Sequence, residues 1–150
     1  MMKRRIHMAA AVIATLCIAT FFTSTILVEL TGSQEMIARV KGFIVLPGLF
    51  ILIPAIAITG ASGFALTKTR RGPLVEKKKK RMPLVAANGL LVLLPAAIFL
   101  EQWASTGAFD TKFYIVQGIE LLAGAVNFSL MILNMRDGLK LSGKVPPGKQ

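Results

Sequence analysis

Residues 113–135 read FYIVQGIELLAGAVNFSLMILNM, an apolar block in which Glu120 is the one charged side chain. A helix of about twenty apolar residues is long enough to cross a hydrocarbon core about 30 Å thick. Three other blocks of similar length and composition precede it, at residues 8–30, 42–66 and 84–103. A buried helix of a soluble protein rarely stays apolar on every face for so long. The pattern predicts an all-α, polytopic membrane protein, a bundle of four transmembrane helices.

The overall composition indicates the same class of protein. Hydrophobic residues make up 54% of the 150-residue chain, and a soluble domain of this size needs more polar surface. We predict one transmembrane domain over residues 1–135, followed by a basic, mobile cytoplasmic tail over residues 136–150. Lys3 and its basic neighbours precede the first block as they would in a secretory signal, but no clean small-residue cleavage site follows, so an uncleaved helix is expected. The predicted helices are at about 7–30, 42–66, 83–103 and 113–135.

Positive charge is distributed unevenly between alternate connecting segments. Of the 18 Lys and Arg residues, 15 fall in the N-terminus, in the segment after the second block and in the C-terminal tail, which lie on one side of a four-span protein. Arg39, Lys41 and Lys112 fall on the opposite side. Because cytoplasmic segments retain Lys and Arg, we expect both termini in the cytoplasm and a multi-pass protein of a bacterial inner (plasma) membrane.

The densest basic stretch is TKTRRGPLVEKKKKRM, residues 67–82. Anionic lipid head groups attract such residues by about 1 kcal/mol each near the membrane surface. No aromatic side chains interleave with the basic ones for base stacking, so nucleic acid is not an expected partner. The expected anionic-lipid contacts are Arg70, Arg71, Lys77, Lys78, Lys79, Lys80 and Arg81.

A row of polar and small residues marks one face of the fourth predicted helix. Steps of three or four residues place Gln117, Glu120, Asn127 and Asn134 on this face, and apolar residues cover the opposite side. Glu120 lies about 10 Å inside the outer end of the helix. No Lys or Arg lies inside a predicted span, so we expect desolvation to raise the pKa of Glu120 and keep it protonated.

Two interpretations of Glu120 stay open. It is a proton-handling or ligand-binding group, with Gln117, Asn127 and Asn88 as the other candidate residues of the site. Alternatively it is a polar clasp that sets the packing register between helices through interhelical hydrogen bonds worth about 1 kcal/mol.

The residues that several kinds of chemistry require are missing. One Cys and one His, Cys17 and His7, cannot supply a bis-histidine haem site, a Cys/His zinc site or an iron–sulfur cluster. Glu29, Glu101 and Asp110 are expected to be solvated acids at the outer helix ends, not a cation site. The sequence has no phosphate-binding loop, no nucleophile elbow and no paired catalytic carboxylates. We therefore expect no cofactor, no metal and no catalytic centre of its own.

These observations favour an accessory or assembly subunit of a larger membrane complex. The alternative is a small transporter, or a protein that binds a lipid or another hydrophobic ligand, acting through Glu120 and helices kinked at Pro47, Pro54 and Pro95. A lipid-modifying enzyme that uses Glu120 ranks third. The expected partners are membrane lipids and either other membrane-protein subunits or further copies of this chain.

Overall fold

The computed structural model describes residues 2–68 and 71–143, all of them in helices or the short turns that join them. Arg70 and residues 144–150 of the predicted tail lie outside the described residues. Within the described ranges, four stretches are long and apolar enough to cross a membrane, so the predicted all-α architecture with four membrane-length helices is confirmed. These spans are Arg4–Thr31, Gln34–Leu66, Pro73–Ser105 and Thr111–Leu141.

Two of the four spans are interrupted helices. The six α-helices are α1 (Met2–Thr31), α2 (Gln34–Phe43), α3 (Phe50–Lys68), α4 (Pro73–Asn88), α5 (Leu94–Ser105) and α6 (Thr111–Leu141). A π-helical segment, Ile44–Leu49, joins α2 to α3, and a second, Gly89–Leu93, joins α4 to α5. Leu46 in the first segment leaves helical geometry (φ −132°, ψ 113°), because the ring of the following Pro47 disfavours the helical conformation.

The second and third spans begin eight to ten residues earlier than the predicted helices. Ser33 accepts a hydrogen bond from the backbone N–H of Met36 and so caps α2, which makes the connection between α1 and α2 only a short turn at Gly32 and Ser33. On the other side, Gly72 has a positive φ of 134°, and Pro73 occupies the first turn of α4. The run Lys77–Arg81 is therefore helical and not part of a loop, and α6 continues to Leu141, past the predicted start of the tail.

The helices pack as a bundle in chain order. The first span packs against α3 and α6, the third span packs against α6 through α4 and α5, and α2 packs against α5. Small side chains such as Ala14, Ala55 and Ala97 are buried where the helices meet, which permits close approach of their backbones. Large apolar side chains on the outside of the bundle stay exposed, among them Leu91 at 76% and Leu122 at 73%.

Candidate functional site

The polar face of α6 points into the bundle. Asp110 caps the helix by accepting a hydrogen bond from the backbone N–H of Phe113, at 3.1 Å. Gln117 is 3% exposed and Asn127 is fully buried, whereas Ile119 and Leu122 on the opposite side of the helix are exposed. The helix therefore brings its amides and Glu120 to the interior of the bundle.

Glu120 is paired with a buried cation, the ammonium of Lys41. The Lys41 side chain is fully buried and donates to Oε2 of Glu120, whose own side chain is 12% exposed. Gln117 donates from Nε2 to the same carboxylate oxygen at 3.1 Å. The prediction that no Lys or Arg lies within a span is wrong, because α2 begins at Gln34 and carries Lys41 inside the second span. The structure thus gives Glu120 a buried basic partner that the sequence did not lead us to expect.

A second carboxylate, that of Glu29, lies within electrostatic range of both Lys41 and Glu120. It lies in the last turns of α1 and is not fully exposed, contrary to the expectation of a solvated acid beside Asp110. Glu29 Oε1 is buried and accepts no hydrogen bond from any described residue. We call Glu29, Lys41, Gln117 and Glu120 the carboxylate cluster.

The stability of each charged side chain in this cluster depends on the partners that the other members supply. Burying a charge without a partner costs several kcal/mol, and a buried pair offsets this cost only when its geometry and hydrogen bonds are good. Lys41 contacts the Glu120 carboxylate and lies within electrostatic range of Glu29, and Glu120 has a basic partner and an amide donor. Removal of Lys41 would therefore leave the carboxylate of Glu120 without its cation, with the partly buried Glu29 as a like charge within electrostatic range.

The two predicted site asparagines form a separate group. Asn88 donates from Nδ2 to the Ala123 carbonyl and to Oδ1 of Asn127, each at 2.9 Å, and Asn127 donates to the Val85 carbonyl at 3.3 Å. Asn127 follows Glu120 by seven residues, or roughly 10 Å along the helix. The structure thus divides the predicted site into the Glu120–Gln117 pair and an Asn88–Asn127 clasp that joins α4 to α6.

Glu120 and Asn127, one residue from each group, line an elongated cavity of about 510 Å³. Its walls come from α1, α3, α4, α5 and α6 and from both π-helical segments, and they are predominantly apolar. Along α6 it extends from Glu120 to Ser142, roughly 33 Å at 1.5 Å per residue. Glu120 lines one end, and Arg4, His7 and Lys78 line the other.

The basic stretch of residues 67–82 contributes Lys78 to the second end of the cavity and Arg81 to an ion pair beside it. Arg81 on α4 donates to Oδ2 of Asp137 at 2.7 Å, and Asp137 is 2% exposed. Lys79 pairs with the nearby Glu76 on the surface of α4. His7 joins α1 to α3, with Nδ1 3.2 Å from the Thr59 carbonyl oxygen. The expected lipid contacts of this run stay a prediction.

Sequence reasoning missed Lys41, Glu29 and Asp137 as partners in the interior. A signal for Lys41 is present, since Ile37, Lys41 and Ile44 are spaced by four and three residues and are all buried on one face. In the described residues, no group of three or more His, Cys, Asp or Glu side chains could hold a metal ion.

Comparisons with protein families, with curated proteins and with solved structures find no match to this chain. The cavity, the carboxylate cluster and the arrangement of charge are therefore the observations on which a function can be argued.

Replacing Lys41 with methionine should lower the free energy of unfolding by about 3–5 kcal/mol, because two carboxylates lose their buried cation. Adding Glu120→Gln to this variant should restore most of the loss. The unfolding free energy can be measured in micelles by titration with a denaturing detergent, with helical circular dichroism as the signal.

Arg39→Met is the matched control on the same helix. Arg39 pairs with Glu35 on the surface, and both side chains are more than 70% exposed, so its loss should cost less than about 1 kcal/mol. Equal stability of the Lys41→Met variant and the unaltered protein would contradict a buried pair.

Proposed function

We propose that this chain is an integral membrane protein that binds a hydrophobic or amphipathic small molecule in its central cavity, as a carrier or a small transporter. The observation that carries the proposal is an apolar cavity that runs along the bundle and has Glu120 at one end. Its volume lies within the range of roughly 300–1,000 Å³ that is typical of ligand pockets. This favours the second of the three functions considered from the sequence.

The interrupted helices support a binding role. The second π-helical segment, Gly89–Leu93, contributes to the cavity wall at Gly89, Leu90 and Leu93. Short π-helical insertions are frequent at functional sites, and helices broken near the membrane midplane are typical of membrane substrate sites. Pro95 follows directly in α5, where its missing N–H removes one bond of the regular helical ladder.

Orientation in the membrane is part of the same proposal. The chain would lie in a bacterial inner membrane with both termini and the Lys77–Arg81 run in the cytoplasm, because most Lys and Arg residues are on that side. The basic end of the cavity would then face the cytoplasm and the carboxylate cluster the outer half of the membrane. Exposed Lys77, Lys79 and Lys80 on α4 would contact anionic lipid head groups.

An accessory role in a larger complex, or a homo-oligomer, is the second proposal. It is supported by an exposed apolar face of α6 around Gly118, where a Cβ atom would meet nothing within 4 Å. Ile115, Ile119 and Leu122 are exposed on this face, so another helix could approach it closely. By contrast, Gly63 and Gly124 already pack against side chains of this chain.

Filling the cavity should abolish ligand retention. Ala86 lines the cavity, whereas its neighbour Ala87 is exposed on the outside of α4. We expect the unaltered protein and the Ala87→Trp variant to carry a bound lipid or other hydrophobic molecule in native mass spectrometry, and the Ala86→Trp variant to lose it. An unaltered protein that carries no such molecule, or equal retention by both variants, would overturn the proposal. A partner protein at fixed stoichiometry would favour the accessory role.

Cysteine labelling on intact cells should report the orientation. In a Cys17→Ser background, a membrane-impermeant maleimide should label Thr106→Cys, in the turn after α5, and should not label Arg71→Cys until the membrane is permeabilised. Both positions are exposed in the structure. The reverse labelling pattern would place the basic segment outside.

A further inference from the structure

The carboxylate cluster has more hydrogen-bond acceptors and more negative charge than its donors can satisfy. Glu29 and Glu120 are two carboxylates, and Lys41 is the one cation that the structure brings to them among the described residues. In the same part of the chain, two buried acceptor atoms of the cluster have no hydrogen-bond donor, Oε1 of Glu29 and Oε1 of Gln117.

The side chain of Gln117 is uncharged, so its unmatched oxygen shows that the cluster lacks hydrogen-bond donors whatever its net charge. Its side chain is 3% exposed, and its amide nitrogen is committed to Glu120, which holds the group inside the cluster. A buried carbonyl oxygen without a donor costs about 1–3 kcal/mol. Both unmatched atoms are acceptors, so the group that satisfies them must donate hydrogen bonds, and a positive charge would also balance the second carboxylate.

The cavity gives such a group a route to the cluster. Glu120 lines the cavity end where Phe21, Phe22 and the buried Thr25 also contribute to the wall. Aromatic ring faces attract ammonium groups, and the hydroxyl of Thr25 adds polarity at the same end. Away from this end the walls are largely apolar until Lys78 and Arg4. A ligand with one cationic head and an apolar tail matches this distribution.

We propose that the carboxylate cluster is the head-group subsite for an amphipathic amine, whose ammonium donates to Glu29, Gln117 and Glu120 while its apolar chain lies along the cavity. This inference rests on the proposed ligand-binding function and specifies the class of ligand. A primary ammonium suits the site because it carries three donors and one positive charge. An anionic amphiphile would instead place its head group at the Arg4–Lys78 end.

Three probes that share one alkyl chain test the head-group preference: decylammonium, decanol and decanoate. Isothermal titration of the purified protein in amphipol at neutral pH, corrected for amphipol alone, gives the three affinities. We expect decylammonium to bind at least about tenfold more tightly than decanol, since hydrogen bonds to charged groups are the stronger ones. Decanoate should bind most weakly of the three.

Glu29→Gln is the informative variant, because it removes one negative charge and leaves the Lys41–Glu120 pair in place. It should reduce the preference for decylammonium over decanol to within about twofold, while retained decanol affinity shows that the cavity still forms. Glu35→Gln removes an exposed acid of the same outer side and should leave the preference unchanged.

The outcomes separate this inference from the proposed function. Equal binding of decylammonium and decanol, or tighter binding of decanoate, would overturn the amine subsite and leave the cavity as a ligand site. An undiminished preference in the Glu29→Gln variant would also overturn it. Binding of none of the three probes would overturn both the inference and the proposed function.

Discussion

The buried contact between Lys41 and Glu120 constrains the rest of this bundle. It joins the second span to the fourth across the interior, where the Lys41 side chain is fully buried and loss of either partner would be costly. Lys41 reaches Glu120 from α2, which begins after the Ser33 cap and continues into the membrane-length span, so only a short turn separates α2 from α1. The interruption at Leu46 follows directly after this helix and redirects the chain into α3. The fold and the candidate site thus share one interaction.

Polar contacts recur along α6 below this pair. The Asn88–Asn127 clasp joins α6 to α4 near the middle of the bundle, and the Arg81–Asp137 pair joins the same two helices at the other end. Hydrogen bonds between membrane helices are individually weak, about 1 kcal/mol, but they fix helix register. Contacts at successive depths hold α4 and α6 in register, while the space between them and the first two spans is left as the cavity.

The four membrane-length helices and the interior face of α6 followed from the sequence, because apolar length and three-to-four-residue spacing are local properties. The pairing of Lys41 did not, because hydropathy treats a lysine as the end of a span, whereas Ser33 and the Glu35–Arg39 pair support a helix that begins well before it. Asp137 was missed for the same reason, because its charge assigned it to the basic tail. In the structure it lies within α6 and pairs with Arg81 of α4. The cavity depends on how four helices meet, and no single helix encodes it.

Infrared spectroscopy of the carboxyl groups tests the central interaction most directly. Difference spectra at neutral pH between the unaltered protein and a Glu120→Gln variant isolate the signal of this one side chain. An ion pair with Lys41 predicts that the variant loses intensity in the ionised-carboxylate stretching region. Loss of a protonated-carboxyl carbonyl band instead would show a neutral Glu120 and would contradict the buried ion pair.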